Sequence, residues 1–223
     1  MNKLPFVSTP WDSLAFGVAT YEIPKPDEAS LALSTIHPGH YTVKVNPLAS
    51  KALLHRHGFY YCDTLLVPVA QKSEFIGSFD EHAGIDRCVE GDNLVGFCQD
   101  TFTHDRFHRD FNLQGDAADR RYINWLQQLS RDKEVFGLTW GGSLAGFFAC
   151  DGNRILLHAI AEEYRGRGIA KFLWSRACEE LFACGHEQLQ SSVSAANLAV
   201  VNLYSSLGFR FREVSDVYHR FTL

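Results

Sequence analysis

Two hundred and twenty-three residues give a chain long enough for one large domain or two small ones. Its 46% hydrophobic and 21% charged residues match a globular protein and exclude a disordered or fibrous one, and a net charge of −5 leaves no basic field to drive non-specific nucleic-acid binding. The 6 cysteines lack CxxC spacing, the first residues open no secretory apolar core, and no apolar run approaches the roughly 20 residues that cross a bilayer, so the expectation is a cytoplasmic chain with reduced thiols and no membrane insertion.

In chain order, residues 18–23 read as extended, Pro24-Lys25-Pro26 breaks them, and Asp27 begins a helical stretch. Residues 40–45 are a second strand candidate. Segment 48–57 has helical spacing at Leu48, Ala52 and Leu53 and stops at Gly58, before a strand over 59–69. Hydrophobicity falls over 71–91, where Gly77, Gly84 and Gly91 interrupt any pattern. This expected linker divides an N-terminal α/β domain, residues 1–80, from a second unit over 87–223.

The second unit is expected to carry a helix from about Asn93 into the Asp100 region and another over 117–129. Strands over 135–140 and 144–150 are joined by Gly141-Gly142, a hairpin signal. A third strand, 154–161, runs into Arg165-Gly166-Arg167-Gly168-Ile169-Ala170. The following helix has an apolar stripe of Ile169, Phe172, Leu173, Ala177, Leu181 and Cys184 and ends at Gly185. A strand near 188–194 leads to a helix capped by Asn197 and ended by Gly208, and strands over 209–214 and 217–221 close the chain as an antiparallel pair. The class is α/β (α+β). Residues 53–59 and 203–209 echo each other as helix end, glycine, then Phe opening a strand. That is either a generic junction or a duplication whose first copy, with Leu54 in place of Tyr204 and no glycine-rich loop, has lost the chemistry.

Strand, glycine loop and helix together make an anion site, because free backbone N–H groups and the positive end of a helix dipole converge there. Gly166 and Gly168 let the backbone approach a ligand, and Arg165 and Arg167 add charge. Ala170-Lys171-Phe172 excludes a Walker loop, and Lys171 stands where a dinucleotide fingerprint needs its third glycine. A structural turn with solvated arginines is the remaining alternative.

The loop resembles the Arg/Gln-x-x-Gly-x-Gly/Ala motif of the GNAT superfamily of acyl-coenzyme A N-acyltransferases, matched by Arg165, Gly168 and Ala170. A second family pattern is matched by Asn197, Leu203, Tyr204, Gly208 and Phe209; Glu162 departs from the Pro that members often carry. The resemblance covers roughly residues 87–223. It implies a mixed twisted sheet with splayed central strands, preceded by a smaller α/β domain that could be a degenerate GNAT-like half and would wall the acceptor side of the site. Acetyl-coenzyme A is then the co-substrate. Its pyrophosphate would lie on Arg165, Gly166, Arg167, Gly168, Ile169 and Ala170, and its pantetheine on Leu157, His158, Ala159 and Ile160, with Asn197 and Tyr204 beside it. Locally the resemblance is closer still to the WecD-type dTDP-fucosamine acetyltransferases of surface-polysaccharide synthesis. It is carried by Trp11-Asp12-Ser13-Leu14-Ala15-Phe16-Gly17, Arg106-Phe107-His108-Arg109 and Arg121-Tyr122-Ile123-Asn124-Trp125.

An amine attacking a thioester must be neutral and the departing thiolate is helped by a proton, so the reaction wants a base and an acid. The resemblance implies Tyr204 as the acid, although its spacing from Val200 and Leu207 equally suits a core aromatic. It implies Asp63 as the base, acting on a sugar amine through water; the alternative is a solvent-facing strand-end carboxylate. His158 is the rival base, or a packing residue. Arg106, Arg109 and Arg121 would meet a diphosphate and Phe107, Phe111 and Tyr122 would pack on thymine or sugar, unless the arginines are incidental to a solvated loop. His104, Asp105, His108 and Asp110 show no regular ligand spacing, so no metal is expected. The expected function is acetyl-coenzyme A-dependent N-acetylation of a dTDP-4-amino-4,6-dideoxyhexose by direct attack on the thioester. The alternatives are a protein or other small-molecule amine as acceptor, or a non-catalytic coenzyme A sensor. Homodimerisation stays open.

Overall fold

The computed structural model describes residues 4–223, whose strands join in one mixed sheet. The first part of the chain supplies β1 (Val7–Ser8), α1 (Pro10–Phe16), β2 (Thr20–Glu22), α2 (Glu28–Ser34), β3 (Gly39–Val45), α3 (Ala52–Arg56) and β4 (Tyr60–Gln71). Then come β5 (Ala83–Asp86), a 3-10 stretch (Gly91–Cys98), α4 (Gly115–Asp132), β6 (Glu134–Trp140), β7 (Ser143–Asp151) and β8 (Arg154–Ile160). The chain closes with α5 (Ala170–Ala183), β9 (Gln188–Gln190), β10 (Val193–Ser194), α6 (Leu198–Ser206) and β11 (Arg210–Thr222). The sheet order is β1-β2-β3-β11-β4-β9-β8-β7-β6-β5, with β10 beside β4.

The local echo is part of a larger one. Phe59 donates its amide to the Leu54 carbonyl and Phe209 to the Tyr204 carbonyl, each at 3.0 Å, across Gly58 and Gly208 at φ +70° and +84°. Upstream of each junction a helix links two parallel strands, β2 to β3 and β8 to β9. The strand after each junction leaves its own unit: β4 pairs with β9, β11 pairs with β3, and β4 and β11 lie antiparallel between them. Two β-α-β-α-β units are thus clasped by exchange of their last strands.

That exchange corrects the expected hairpin over 209–221. β11 is one strand of 13 residues, because Ser215 and Asp216 pair with Leu65 and Thr64 of β4 instead of turning, and bulges at Phe211/Glu213 and Val217/Tyr218 take up the mismatch. The expected linker holds β5 at the sheet edge against β6. The helix expected near 93–100 is the 3-10 stretch, and the strand expected over 188–194 divides at Ser191, whose amide turns to the Pro68 carbonyl.

The units differ in how their parallel strands pair. β2 and β3 stay paired through Thr20↔His40, Tyr21↔Tyr41 and Glu22↔Thr42, with Tyr21 stacked on Tyr41 at 5.3 Å and Phe6 edge-on to Tyr41 at 5.0 Å. β8 and β9 pair only at Arg154↔Gln190 and then part. On one face of this split, Phe148, Leu173, Trp174, Leu181 and Tyr204 form a core under α5 and α6; on the other, Leu94, Leu126, Phe147 and Leu157 pack under α4. Each fully buried side chain of this kind stabilises the fold by about 1.5–3 kcal/mol. α1 is tied to α4 by a buried ion pair, Arg121 Nε donating to Asp12 Oδ1 at 2.6 Å.

Candidate active site

The gap between β8 and β9 opens into a cavity of about 550 Å³. On one side it is lined by Leu157, His158, Ala159 and Ile160, by Arg165, Gly166, Gly168, Ile169 and Ala170, and by Asn197. Asp63, Ser194, residues 100–106, Arg121, Tyr122 and Trp125 face them. The split therefore brings the predicted coenzyme loop and much of the predicted acceptor side to one space.

The loop is shaped to leave its backbone open. Gly166 and Gly168 lie at φ +71° and +73°, and a Cβ at either would meet nothing within 4 Å. The cap residue of α5, Ile169, gives no side-chain cap, and among the described residues no protein acceptor takes the amides of 166–171. By contrast α2 caps itself: Asp27 Oδ1 accepts the Ser30 amide at 3.0 Å and the Ser30 hydroxyl accepts the Asp27 amide at 3.1 Å. Unsatisfied N–H groups at the positive end of a 14-residue helix suit a diphosphate. Arg165 does not supply free charge there, since its Nε donates to the Ile160 carbonyl at 2.8 Å and another guanidinium nitrogen donates to Thr101 Oγ1 at 2.7 Å. Arg167 lies over the Tyr164 ring at 5.8 Å. Asn197 caps α6, its Oδ1 accepting the Val200 amide at 3.2 Å.

Behind the split, the Tyr204 ring is fully buried, 4.8 Å from the Phe209 ring, and its hydroxyl lies 3.0 Å from His158 Nε2. Burial lowers His158 to about 4, so the imidazole is neutral, and burial pushes the Tyr204 phenol up.

Asp63 is 1% exposed. Its Oδ1 accepts from Ser194 Oγ at 2.7 Å, the Thr64 amide at 2.8 Å and the Arg109 guanidinium at 3.0 Å. Its Oδ2, also buried, has no partner among the described residues. Burial pushes the carboxyl up, against the pull of Ser194, Thr64, Arg109 and Arg106. One oxygen is thus fixed and the other left unpaired in a carboxylate on the cavity wall.

The three arginines expected on a diphosphate part company. Arg106 lines the cavity over the Phe107 ring at 4.4 Å, its buried Nε unpartnered among the described residues. Arg109 is held by Asp63 and Arg121 by Asp12, because each finds a carboxylate within its fold. Phe107 is 2% exposed, packed under Arg106, Arg121 and Phe16, and presents no face to a base or sugar. Phe111 is exposed, 4.7 Å from Tyr60, while Tyr122 reaches the cavity stacked on Phe102 at 4.2 Å. Ser194 and Thr101 went unread in the sequence, since no local pattern links them to partners 131 and 64 residues away.

No helix among the described residues is long and apolar enough to cross a membrane. The chain is 29% identical over 140 residues to an uncharacterized N-acetyltransferase of Methanocaldococcus jannaschii, a match spanning 57% of this chain and 61% of that relative's length. In fold it is similar to a GCN5-related N-acetyltransferase from Sphaerobacter thermophilus (TM-score 0.64, 13% identity, 97% of this chain and 75% of that one). It is also similar in fold to a functionally unknown conserved protein from Staphylococcus epidermidis (TM-score 0.63, 14% identity, 100% and 93%). A model of the acetyltransferase (GNAT) family matches residues 66–209, from within β4 to the residue before β11, and the chain belongs to that family.

Proposed function

We propose that the chain transfers an acetyl group from acetyl-coenzyme A to the primary amine of a small acceptor, and that Asp63 is the base. The observation that carries this is the unpaired Oδ2 of a desolvated carboxylate on the wall of the cavity that the split strands open. Bound in the split, acetyl-coenzyme A supplies an activated thioester. The amides of 166–171 would hold its diphosphate, and the edge of β8 over 157–160, freed by the divergence from β9, would hold its pantetheine arm. Asp63 Oδ2 would take the proton of the attacking amine, directly or through a water, once the wall that covers this buried oxygen gives way to the acceptor. Neutral His158 lines the cavity, with its Nε2 3.0 Å from the hydroxyl of Tyr204, which lies behind the cavity wall, and this pair would supply the proton for the departing thiolate. Raised by burial, Tyr204 stays protonated at any working pH.

A narrower reading makes the acceptor a dTDP-4-amino-4,6-dideoxyhexose in polysaccharide biosynthesis. Arg106, its buried Nε unpartnered among the described residues, and Tyr122 on the same wall support it, as a cation for phosphate and an aromatic face for sugar or base. Mass spectrometry of products, after incubation with acetyl-coenzyme A and a panel of dTDP-amino sugars, simple amines and basic peptides, tests both levels. Acetylated sugar nucleotide is the expected product. Acetylation of a peptide alone refutes the small-acceptor reading, and a small amine other than a nucleotide sugar refutes only the narrower one.

A further inference from the structure

The loop that carries Arg106 and Arg109 continues into Asp110, a carboxylate whose side chain is 0% exposed. Asp110 Oδ2 lies 2.8 Å from His40 Nε2 and 2.7 Å from His219 Nδ1, while Oδ1 accepts from the Tyr60 hydroxyl at 2.9 Å and the Asn112 amide at 2.9 Å. His40, His219 and Tyr60 sit on β3, β11 and β4, the strands through which the two units exchange. Burial alone would raise Asp110, but the bonds from His219 and His40 more than offset it and hold the carboxyl well below the usual carboxylate range. His219 is lowered by burial to about 4 and is neutral. The spacing is that of hydrogen bonds: ligands at about 2.0 Å around a tetrahedral ion would stand roughly 3.3 Å apart, so the cluster reads as an anchor and not as an ion site.

One residue before this anchor, Arg109 reaches back to Asp63 Oδ1 at 3.0 Å. Arg109 is partly exposed and has Tyr61 under its guanidinium at 6.0 Å, so on its own it would be free to swing away. We propose that Asp110, held by His40, His219 and Tyr60, is the positioning residue that keeps Arg109 on Oδ1 of Asp63 and so leaves Oδ2 for the acceptor amine. This rests on the reading of Asp63 as the base. The charged groups facing Asp63 come from the same loop, Arg109 and Arg106; on β4 its neighbour Cys62 is pushed up to about 12, first by burial, and stays neutral, while Ser194 of β10 and the paired Val217 of β11 bring no charge.

The test is the pH dependence of kcat/KM, corrected for the separately titrated fraction of neutral acceptor amine, so that the remaining acid limb reports the base of the free enzyme. In Asp110→Asn the amide cannot accept from both histidines and Tyr60 at once, the loop loosens, and Asp63 loses the Arg109 charge. The acid limb then moves to higher pH by roughly one unit, while the KM for acetyl-coenzyme A changes less than about twofold. Arg109→Gln gives the same shift directly, and the double variant shifts no further than Arg109→Gln alone. Tyr60→Phe, which removes one donor and keeps the ring, shifts the limb the same way by less and, paired with Arg109→Gln, decides the matter where Asp110→Asn does not fold. A limb unmoved in Asp110→Asn or Tyr60→Phe, or a shift additive with Arg109→Gln, overturns the proposal. An acid limb that survives Asp63→Asn overturns the base reading, and this one with it; one that vanishes there yet stays put in the anchor variants overturns this one alone.

Discussion

Asp63→Asn changes charge while disturbing little else. The three donors on Oδ1, from Ser194, Thr64 and Arg109, can all bond an amide oxygen, so the side chain keeps its orientation and the NH₂ replaces the unpaired Oδ2. An acceptor becomes a donor where the amine must lose its proton. Losing a general base lowers kcat/KM by about 10²–10⁴, or roughly 3–5 kcal/mol of barrier, and the loss is largest at low pH, where more of the amine is protonated. Stability runs the other way. Because burial raises the folded-state pKa above the ordinary carboxylate value, the folded protein holds the ionised carboxylate less readily than the unfolded chain. That unfavourable contribution is present above the folded pKa and is relieved as pH falls through it. Asn removes it at every pH, and Arg109, with 36% of its side chain exposed, loses little when its partner keeps the oxygen but not the charge. Initial rates of thiol release and a thermal melt at pH 7 should show an inactive variant that melts no lower than the parent. A kcat/KM within about threefold of the parent, or activity lost in step with Tm, refutes the reasoning.

Tyr204→Phe keeps the ring in its core and deletes only the hydroxyl on His158; kcat should fall by about 10²–10⁴ with coenzyme affinity unchanged in calorimetry, and full turnover would make Tyr204 a packing residue. Asp12→Ala leaves Arg121 buried without its counter-ion, and the urea midpoint should report a loss of about 3–5 kcal/mol; an unchanged midpoint would mean that the guanidinium is stabilised by its aromatic neighbours alone. His158 and His219 are both lowered from 6.5 to about 4, so the unfolded chain binds protons first. Stability present above pH 6.5 should drain away as pH falls toward 4, on the order of 2 kcal/mol per histidine by pH 5, and a urea titration showing greater stability at pH 5 than at pH 7 would contradict this.

What was legible in the sequence was local. The glycine loop, its flanking strand and helix, and the Asn197-to-Phe209 helix end each depend on residues within a few turns of one another, and each lies where periodicity and capping chemistry put it. The echo of Leu53 to Phe59 in Leu203 to Phe209 was legible for the same reason. Its consequence was not, because the exchange of β4 and β11 is a matter of pairings some 150 residues apart, as in Asp216↔Thr64, and no local pattern forbids Ser215-Asp216 from turning. The acceptor side was least legible. Arg106, Arg109 and Arg121 are equivalent as letters, and only the fold decides that Asp63 and Asp12 neutralise two of them. Likewise Arg165 belongs to the family motif, yet its side chain braces Ile160 and Thr101 and is not free charge for an anion.

The claim on which the rest depends is that the split strands and the open amides of 166–171 hold acetyl-coenzyme A. Calorimetric titration of the parent chain and of Gly168→Val tests it most directly. A Cβ there meets nothing within 4 Å, but φ +73° costs a β-branched residue about 1–2 kcal/mol and its side chain would fill the space the diphosphate needs. The account predicts saturable one-to-one binding by the parent, weakened at least tenfold in Gly168→Val while Tyr204→Phe binds as the parent does. Equal affinity in the parent and in a folded Gly168→Val, or no binding by the parent, would contradict it.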